Sequence, residues 1–80
     1  MSEVFRIVMD IFREEMGEGP DFEIDRNATF DDLDIDSLDL LEIVTAIEEE
    51  FHIEISDDAM GDIKTAGDAI DYVEKLVEKG

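Results

Sequence analysis

Hydrophobic residues recur at helical spacing near the start of the chain and predict a first helix over residues 3–16. The apolar positions that share one face of this helix are Val4, Val8, Ile11 and Phe12, flanked by Phe5 and Ile7. Ser2 is suited to cap the start of the helix, and Gly17 follows its last turn as a stop signal. The segment is therefore expected to bury one side against the rest of the protein.

The same spacing predicts a second helix over residues 37–51. Its expected core face comprises Leu40, Ile43, Val44, Ile47 and Phe51. Asp36 is a good N-cap, and Asp39 adds negative charge in the first turn, where the helix dipole favours it.

Two further helical segments are predicted in the last third of the chain. Residues 57–62 are predicted to form one short helix with Ser56 or Asp57 as its cap. The segment 52–55 is predicted to be a loop, because it has no partner strand. Thr65 opens a last helix that extends to about Lys79. Its predicted apolar face comprises Ala66, Ala69, Ile70, Val73, Leu76 and Val77.

A connection from Gly17 to Asp36 separates the first two helices and is longer than most loops in compact domains. Phe22, Ile24 and Phe30 are spaced through it, and we expect them to attach it to the core. The whole chain, residues 1–80, therefore reads as a single all-α domain, with a bundle of three longer helices, one short helix and a long first loop.

The net charge of the chain indicates which kinds of molecule it can bind. Twenty-five acidic residues against six basic ones give a net charge of −19, which repels nucleic acid and anionic lipid and attracts proteins with basic patches. No apolar run approaches the ~18 residues that a membrane span needs, and no leader is recognisable. We therefore expect a monomeric, cytoplasmic protein that binds neither membranes nor nucleic acid.

The outward face of the second helix carries apolar residues among its acids. Leu38, Glu42, Thr45 and Glu49 project away from the core face, with Leu41 and Glu48 along one margin. Scattered exposed leucines are common in proteins, which is one interpretation. The other is a docking surface for a partner whose basic residues surround an apolar depression.

Ser37 stands alone among the aspartates that precede the second helix, and three roles are possible from the residues alone. It is a poor nucleophile, because His52, the chain's histidine, follows the far end of the same helix, more than about 20 Å away. It could cap the helix, although Asp36 already suits that position. It could also be an attachment point modified by another protein, presented at the start of a helix after a long loop.

A calcium loop is a fourth possibility for this segment. Asp32, Asp34 and Asp36 match the first three ligand positions of an EF-hand, but Ser37 and Ile43 stand where that loop needs glycine and a bidentate glutamate. We therefore predict no dedicated metal site.

The segment DSLDLLEIVTAIEEEF, residues 36–51, resembles the Asp-Ser-Leu motif and recognition helix of acyl carrier proteins. The resemblance extends over most of the chain, through the first amphipathic helix, the long loop, EIS near residue 55 and AIDYVEKL at residues 69–76.

This resemblance implies a carrier rather than an enzyme. Ser37 would bear 4′-phosphopantetheine, transferred from coenzyme A by a phosphopantetheinyl transferase that Asp36 assists, and the thiol of the arm would carry acyl groups as thioesters. Ketosynthases, acyltransferases or other enzymes with basic patches would be its partners. The positions that would meet them are Leu38, Leu41, Glu42, Thr45, Glu48 and Glu49.

Two positions depart from the family pattern: Asp34 stands where fatty-acid carriers usually have glycine, and Ser56 where proline is common. The alternatives are therefore a carrier of fatty acid synthesis and a specialised carrier of a polyketide or other biosynthetic cluster. Outside the family, an acidic helical adaptor with Ser37 as a cap, or a divalent-metal buffer, would account for fewer of these features.

Overall fold

Four helices make up the protein in a computed structural model that describes residues 3–79. They are α1 (Glu3–Met16), α2 (Ser37–Phe51), the short α3 (Asp57–Asp62) and α4 (Ala66–Lys79). Within the described residues there is no strand, and a single antiparallel bridge joins Thr29 to Thr65. The predicted all-α architecture and the bounds of α1 and α2 are confirmed, while Ser2, the predicted cap of α1, lies outside the described residues.

Backbone geometry explains where the two longer N-terminal helices end. Gly17 adopts a positive φ of 74°, its N–H donates to the carbonyl of Glu14, and the N–H of Glu18 donates to that of Arg13 at 2.8 Å. This is the Schellman arrangement, which satisfies helix-end carbonyls and favours glycine at the left-handed residue. At the end of α2, His52 takes the left-handed conformation (φ 57°), so its role is that of an exposed helix-end residue.

The core lies where α1, α2 and α4 meet. Its most enclosed side chains are Phe12, Met9, Ile43, Ile47, Ile70, Val8 and Val73. The predicted core face of α2 is confirmed, since Ile43, Val44 and Ile47 are buried and the side chains at both ends pack against them. On α1 the spacing pattern missed Met9, which is buried beside its neighbour Val8.

The last helix buries a narrower face than predicted. Ala66, Ala69, Ile70 and Val73 are buried, but Val77 is 41% exposed. The prediction for Val77 is therefore wrong, because the bundle no longer covers that side of α4 at its final turn.

The long first loop is attached to both α1 and the start of α4. Ile24 is buried, and the ring of Phe30 stacks on that of Phe12 with centroids 6.0 Å apart. The prediction for Phe22 is wrong: its ring is 37% exposed, and the backbone carbonyl of Phe22 is held instead by Arg13 Nε at 2.6 Å. The loop therefore relies on backbone hydrogen bonds as well as apolar anchors.

Glycine at position 67 permits a close contact between the loop and α4. The N–H of Gly67 donates to the carbonyl of Arg26 at 2.8 Å, and a Cβ at Gly67 would approach that same oxygen to 2.8 Å. Arg26 also pairs with Asp71 on α4. These contacts fix the path of the loop toward the start of α2.

Candidate functional site

Ser37 is the first residue of α2, and its side chain is exposed. Its hydroxyl makes no hydrogen bond with any residue that the structure describes. The N-cap is Asp36, whose carboxylate accepts a hydrogen bond from the N–H of Asp39 at 2.8 Å. The structure therefore assigns the capping role to Asp36 and leaves the hydroxyl of Ser37 accessible to a reacting molecule.

A compact turn, residues 29–35, delivers the chain to Ser37. The side chains of Thr29 and Asp32 each accept a hydrogen bond from the backbone N–H of the other, and the N–H of Ile35 donates to the carbonyl of Phe30 at 2.9 Å. Ile35 is buried and anchors the turn. The residue before the cap is thereby held in the core, which gives Ser37 a defined position.

Asp34 and Ser56, the two departures from the family pattern, are both compatible with the backbone conformation at their positions. Asp34 has a φ of 57°, in the left-handed region that glycine adopts without steric cost and that aspartate tolerates better than most residues. Ser56 is the N-cap of α3, and its Oγ accepts a hydrogen bond from the N–H of Ala59.

An open groove of about 560 Å³ lies beside Ser37. Its walls combine apolar side chains from the loop, α2 and the segment before α4 with a few charged ones: Thr29, Phe30, Asp31, Ile35, Asp36, Leu40, Ile63 and Lys64. Ile63 and Lys64 were missed by sequence reasoning, because no local pattern indicates that residues so distant in the chain meet Ser37. A flexible arm attached to Ser37 would find an apolar surface directly beside it.

The outward face of α2 is exposed as predicted. Leu38 and Leu41, one helical turn apart, are 65% and 53% exposed. Glu42, Thr45 and Glu49 are exposed beside them, and α2 contains acidic residues but no basic one. This set, together with Glu48, is called the α2 face below.

Glu48 differs from the rest of the α2 face. Its side chain is half-buried, and its carboxylate accepts a hydrogen bond from the N–H of Ile55 at 2.7 Å. It therefore has a structural role in addition to any contact with partners.

A second cavity of about 250 Å³ lies between the end of α1 and the start of α2. Four of its lining residues are acidic: Glu15, Glu18, Asp34 and Asp39. A hydrogen bond with Glu42 raises the pKa of Glu15, with smaller contributions from burial and from the negative charges of Glu42, Glu14 and Asp39. Like charges are thus brought together where α1 meets α2.

The geometry of α2 does not allow His52 to activate Ser37 as a nucleophile. His52 follows the C-terminal end of the 15-residue α2, so about 22 Å separates the two ends of the helix. Asp32 and Asp36 use their carboxylates to bind backbone N–H groups of the loop and of α2. No group of side chains within residues 3–79 has the arrangement of a metal site.

The sequence is similar to that of known proteins. Residues 6–73 match the family described as phosphopantetheine attachment site. An acyl carrier protein of Streptococcus pneumoniae serotype 4 is 46% identical over 72 residues, which cover 90% of this chain and 93% of that protein. An acyl carrier protein of Bradyrhizobium sp. (strain ORS 278) is 47% identical over 75 residues, covering 94% and 95% respectively.

An accessible serine at the start of an acidic helix, the groove beside it and these relatives lead to one conclusion. The chain belongs to the acyl carrier protein family. It is a carrier and not an enzyme, and it bears acyl groups as thioesters on a 4′-phosphopantetheine arm.

Proposed function

We propose that Ser37 is the residue that bears the 4′-phosphopantetheine arm. The observation that carries this proposal is the exposed hydroxyl of Ser37 at the start of α2. Asp36 caps the helix in its place, and the hydroxyl lies at the edge of a partly apolar groove. The other serine among the described residues, Ser56, uses its Oγ to cap α3 and does not line this groove.

The modification requires a chemical step that another enzyme performs. The Oγ of Ser37 forms a new bond to the phosphorus that carries the pantetheine of coenzyme A, and the pyrophosphate bond breaks. Adenosine bisphosphate leaves, and the hydroxyl proton passes to a base of the transferase. Asp36, adjacent to Ser37, would contact the transferase and its magnesium ion, as the resemblance to acyl carrier proteins implies.

The α2 face would be the surface on which partners dock. Its exposed leucines offer apolar contact, and the surrounding carboxylates would pair with basic residues of a phosphopantetheinyl transferase, a ketosynthase or an acyltransferase. Because α2 begins at Ser37, an enzyme bound to the α2 face would lie next to the proposed attachment point.

Within residues 3–79 no helix has both the length and the hydrophobicity needed to cross a bilayer. We propose a monomer that works in the cytoplasm, delivering acyl groups to enzymes of fatty acid or related lipid biosynthesis; a specialised polyketide carrier is the alternative.

Intact mass spectrometry tests the attachment site. Wild type, Ser37→Ala and Ser56→Ala are incubated with coenzyme A, magnesium and a transferase of broad specificity. We expect one phosphopantetheine mass gain on wild type and on Ser56→Ala, and none on Ser37→Ala. A mass gain that persists in Ser37→Ala would overturn the assignment.

A further inference from the structure

Lys64 is the one basic residue among those that line the groove beside Ser37. The groove otherwise holds two acidic side chains, Asp31 and Asp36, and neutral residues. A cation at this position is notable in a chain with six basic residues and twenty-five acidic ones.

The backbone of Lys64 is fixed on the rim of the groove. Its carbonyl accepts a hydrogen bond from the N–H of Phe30 at 3.2 Å, and its N–H donates to Asp68 Oδ2 at 3.1 Å. The preceding residue, Ile63, is buried. The side chain of Lys64 therefore starts from an ordered point, although the side chain itself is exposed.

The charge of Lys64 is not used by the fold. Each of the three arginines forms an ion pair: Arg6 with Glu3, Arg13 with Asp10 and Arg26 with Asp71. Lys64 forms no ion pair with any carboxylate that the structure describes, even though the chain is rich in acids. Its ammonium group is thus available to a ligand in the groove.

Attachment of the arm changes the electrostatics of this groove. A neutral hydroxyl is replaced by a phosphodiester that carries a negative charge, next to Asp31 and Asp36. Lysine binds phosphate oxygens as a compact point charge on a flexible stem. We propose that Lys64 pairs with the phosphodiester on Ser37 and thereby directs the arm into the groove, as a positioning residue.

This inference rests on the proposed attachment at Ser37, and the test separates the two. Wild type, Lys64→Gln, Lys64→Arg and the control Lys75→Gln are prepared in apo and holo forms, with complete loading verified by intact mass. Lys75 is an exposed lysine of α4 that does not line the groove. The ³¹P resonance of the folded holo protein is compared with that of the same protein unfolded in urea, and thermal midpoints of both forms are measured at low and high salt.

If Lys64 holds the phosphodiester, Lys64→Gln moves the folded ³¹P resonance toward its unfolded position. It also lowers the holo midpoint relative to the apo midpoint by about 1–5 °C at low salt. Lys64→Arg preserves both properties, Lys75→Gln leaves both as in wild type, and high salt removes the difference because it screens exposed charges.

A fully loaded Lys64→Gln protein with the ³¹P position and the holo-minus-apo midpoint of wild type would overturn the role of Lys64 while leaving the attachment site intact. Loading that does not depend on Ser37 would overturn both proposals.

Discussion

The carboxylate of Glu48 accepts a hydrogen bond from the backbone N–H of Ile55 at 2.7 Å, across the turn that leaves α2. The backbone carbonyl of Glu48 accepts another from the N–H of Ile53 at 3.1 Å. One residue therefore holds two N–H groups of the segment that leads to α3. The segment forms no helix or strand that could satisfy these N–H groups, and Glu48 provides their hydrogen-bond acceptors instead.

Removing the carboxylate of Glu48 is expected to destabilise the protein. Glu48→Ala should lower the free energy of unfolding by about 1–3 kcal/mol, because the half-buried N–H of Ile55 loses a charged acceptor. Glu48→Gln retains an acceptor oxygen and should lose less. The matched control Glu49→Ala alters an exposed neighbour and should change stability by less than about 0.5 kcal/mol. Urea unfolding measures all three; equal losses for Glu48→Ala and Glu49→Ala would contradict the role of this bond.

The left-handed backbone at Asp34 predicts an order of stability among substitutions there. Asp34→Gly and Asp34→Ala remove the same charge, but alanine must hold its Cβ at a φ of 57° and glycine carries none. We expect the glycine variant to be more stable than the alanine variant by about 1 kcal/mol. Thermal or urea unfolding of the pair gives this difference directly, and an alanine variant as stable as the glycine variant would argue against strain at this residue.

Two glycines that both lie in helices should respond oppositely to alanine. At Gly67 the added Cβ would meet the carbonyl of Arg26 at 2.8 Å, so Gly67→Ala should cost about 1–3 kcal/mol and loosen the first loop. At Gly61 nothing lies within 4 Å of the added Cβ, and Gly61→Ala should stabilise α3 by up to about 1 kcal/mol. Denaturant unfolding provides the comparison. Similar effects at both positions would mean that the contact with Arg26 relaxes without cost.

The carboxyl pair of Glu15 and Glu42 should make stability depend on pH. Because the pKa of Glu15 is raised in the folded protein, chiefly by hydrogen bonding to Glu42, the folded state binds a proton more tightly than the unfolded chain. This contribution is present at pH values below the unfolded pKa and is lost as pH rises through the folded pKa. Glu15→Gln should therefore be more stable than wild type at neutral pH, and this advantage should shrink on acidification.

The measurement is the difference in unfolding free energy between wild type and Glu15→Gln from about pH 7 down to about pH 4. Glu50→Gln, which removes an exposed charge elsewhere on α2, provides the control for the general repulsion among the acids. A difference for Glu15→Gln that is independent of pH, or that grows on acidification, would contradict a raised pKa of Glu15 in the folded protein.

Charge reversal on the α2 face should slow association with the transferase. Glu49→Lys replaces an exposed carboxylate of the proposed docking surface, so the association rate at low salt should fall by about tenfold and depend less on salt. Glu78→Lys makes the same change in net charge on the outward side of α4 and should have a smaller effect. Stopped-flow association kinetics distinguish the two; equal effects would mean that net charge, rather than the α2 face, guides the encounter. Glu42→Lys should slow association as Glu49→Lys does. Because Glu42 also interacts with Glu15, the stability of this variant is measured alongside its association rate.

Much of the fold could be predicted because helix formation depends on neighbours in the sequence. The spacing of apolar residues and the caps at Asp36 and Gly17 are local signals, and they placed α1 and α2 correctly. The exposure of Leu38 also followed from the helical projection. Ser37 was selected in the same way, from its position after the cap and from the motif around it.

The incorrect predictions concern residues whose surroundings come from distant parts of the chain. Met9 is buried in the core, whereas the ring of Phe22 is exposed and only its backbone carbonyl is held, by Arg13. Val77 lies on the apolar side of α4, but the bundle ends before it. Helical spacing gives the direction of a side chain and cannot tell whether another element covers it.

By itself the sequence determined the helices, the cap of α2 at Asp36 and the presence of an accessible serine at the start of that helix, because these depend on interactions between residues a few positions apart. Only the tertiary structure decided which groups surround that serine. Lys64 and Ile63 reach the groove of Ser37, and Glu15 meets Glu42, through packing between separate helices and the loop. The cause is that the free energy of such contacts depends on the combined arrangement of the bundle, which no local stretch of sequence encodes.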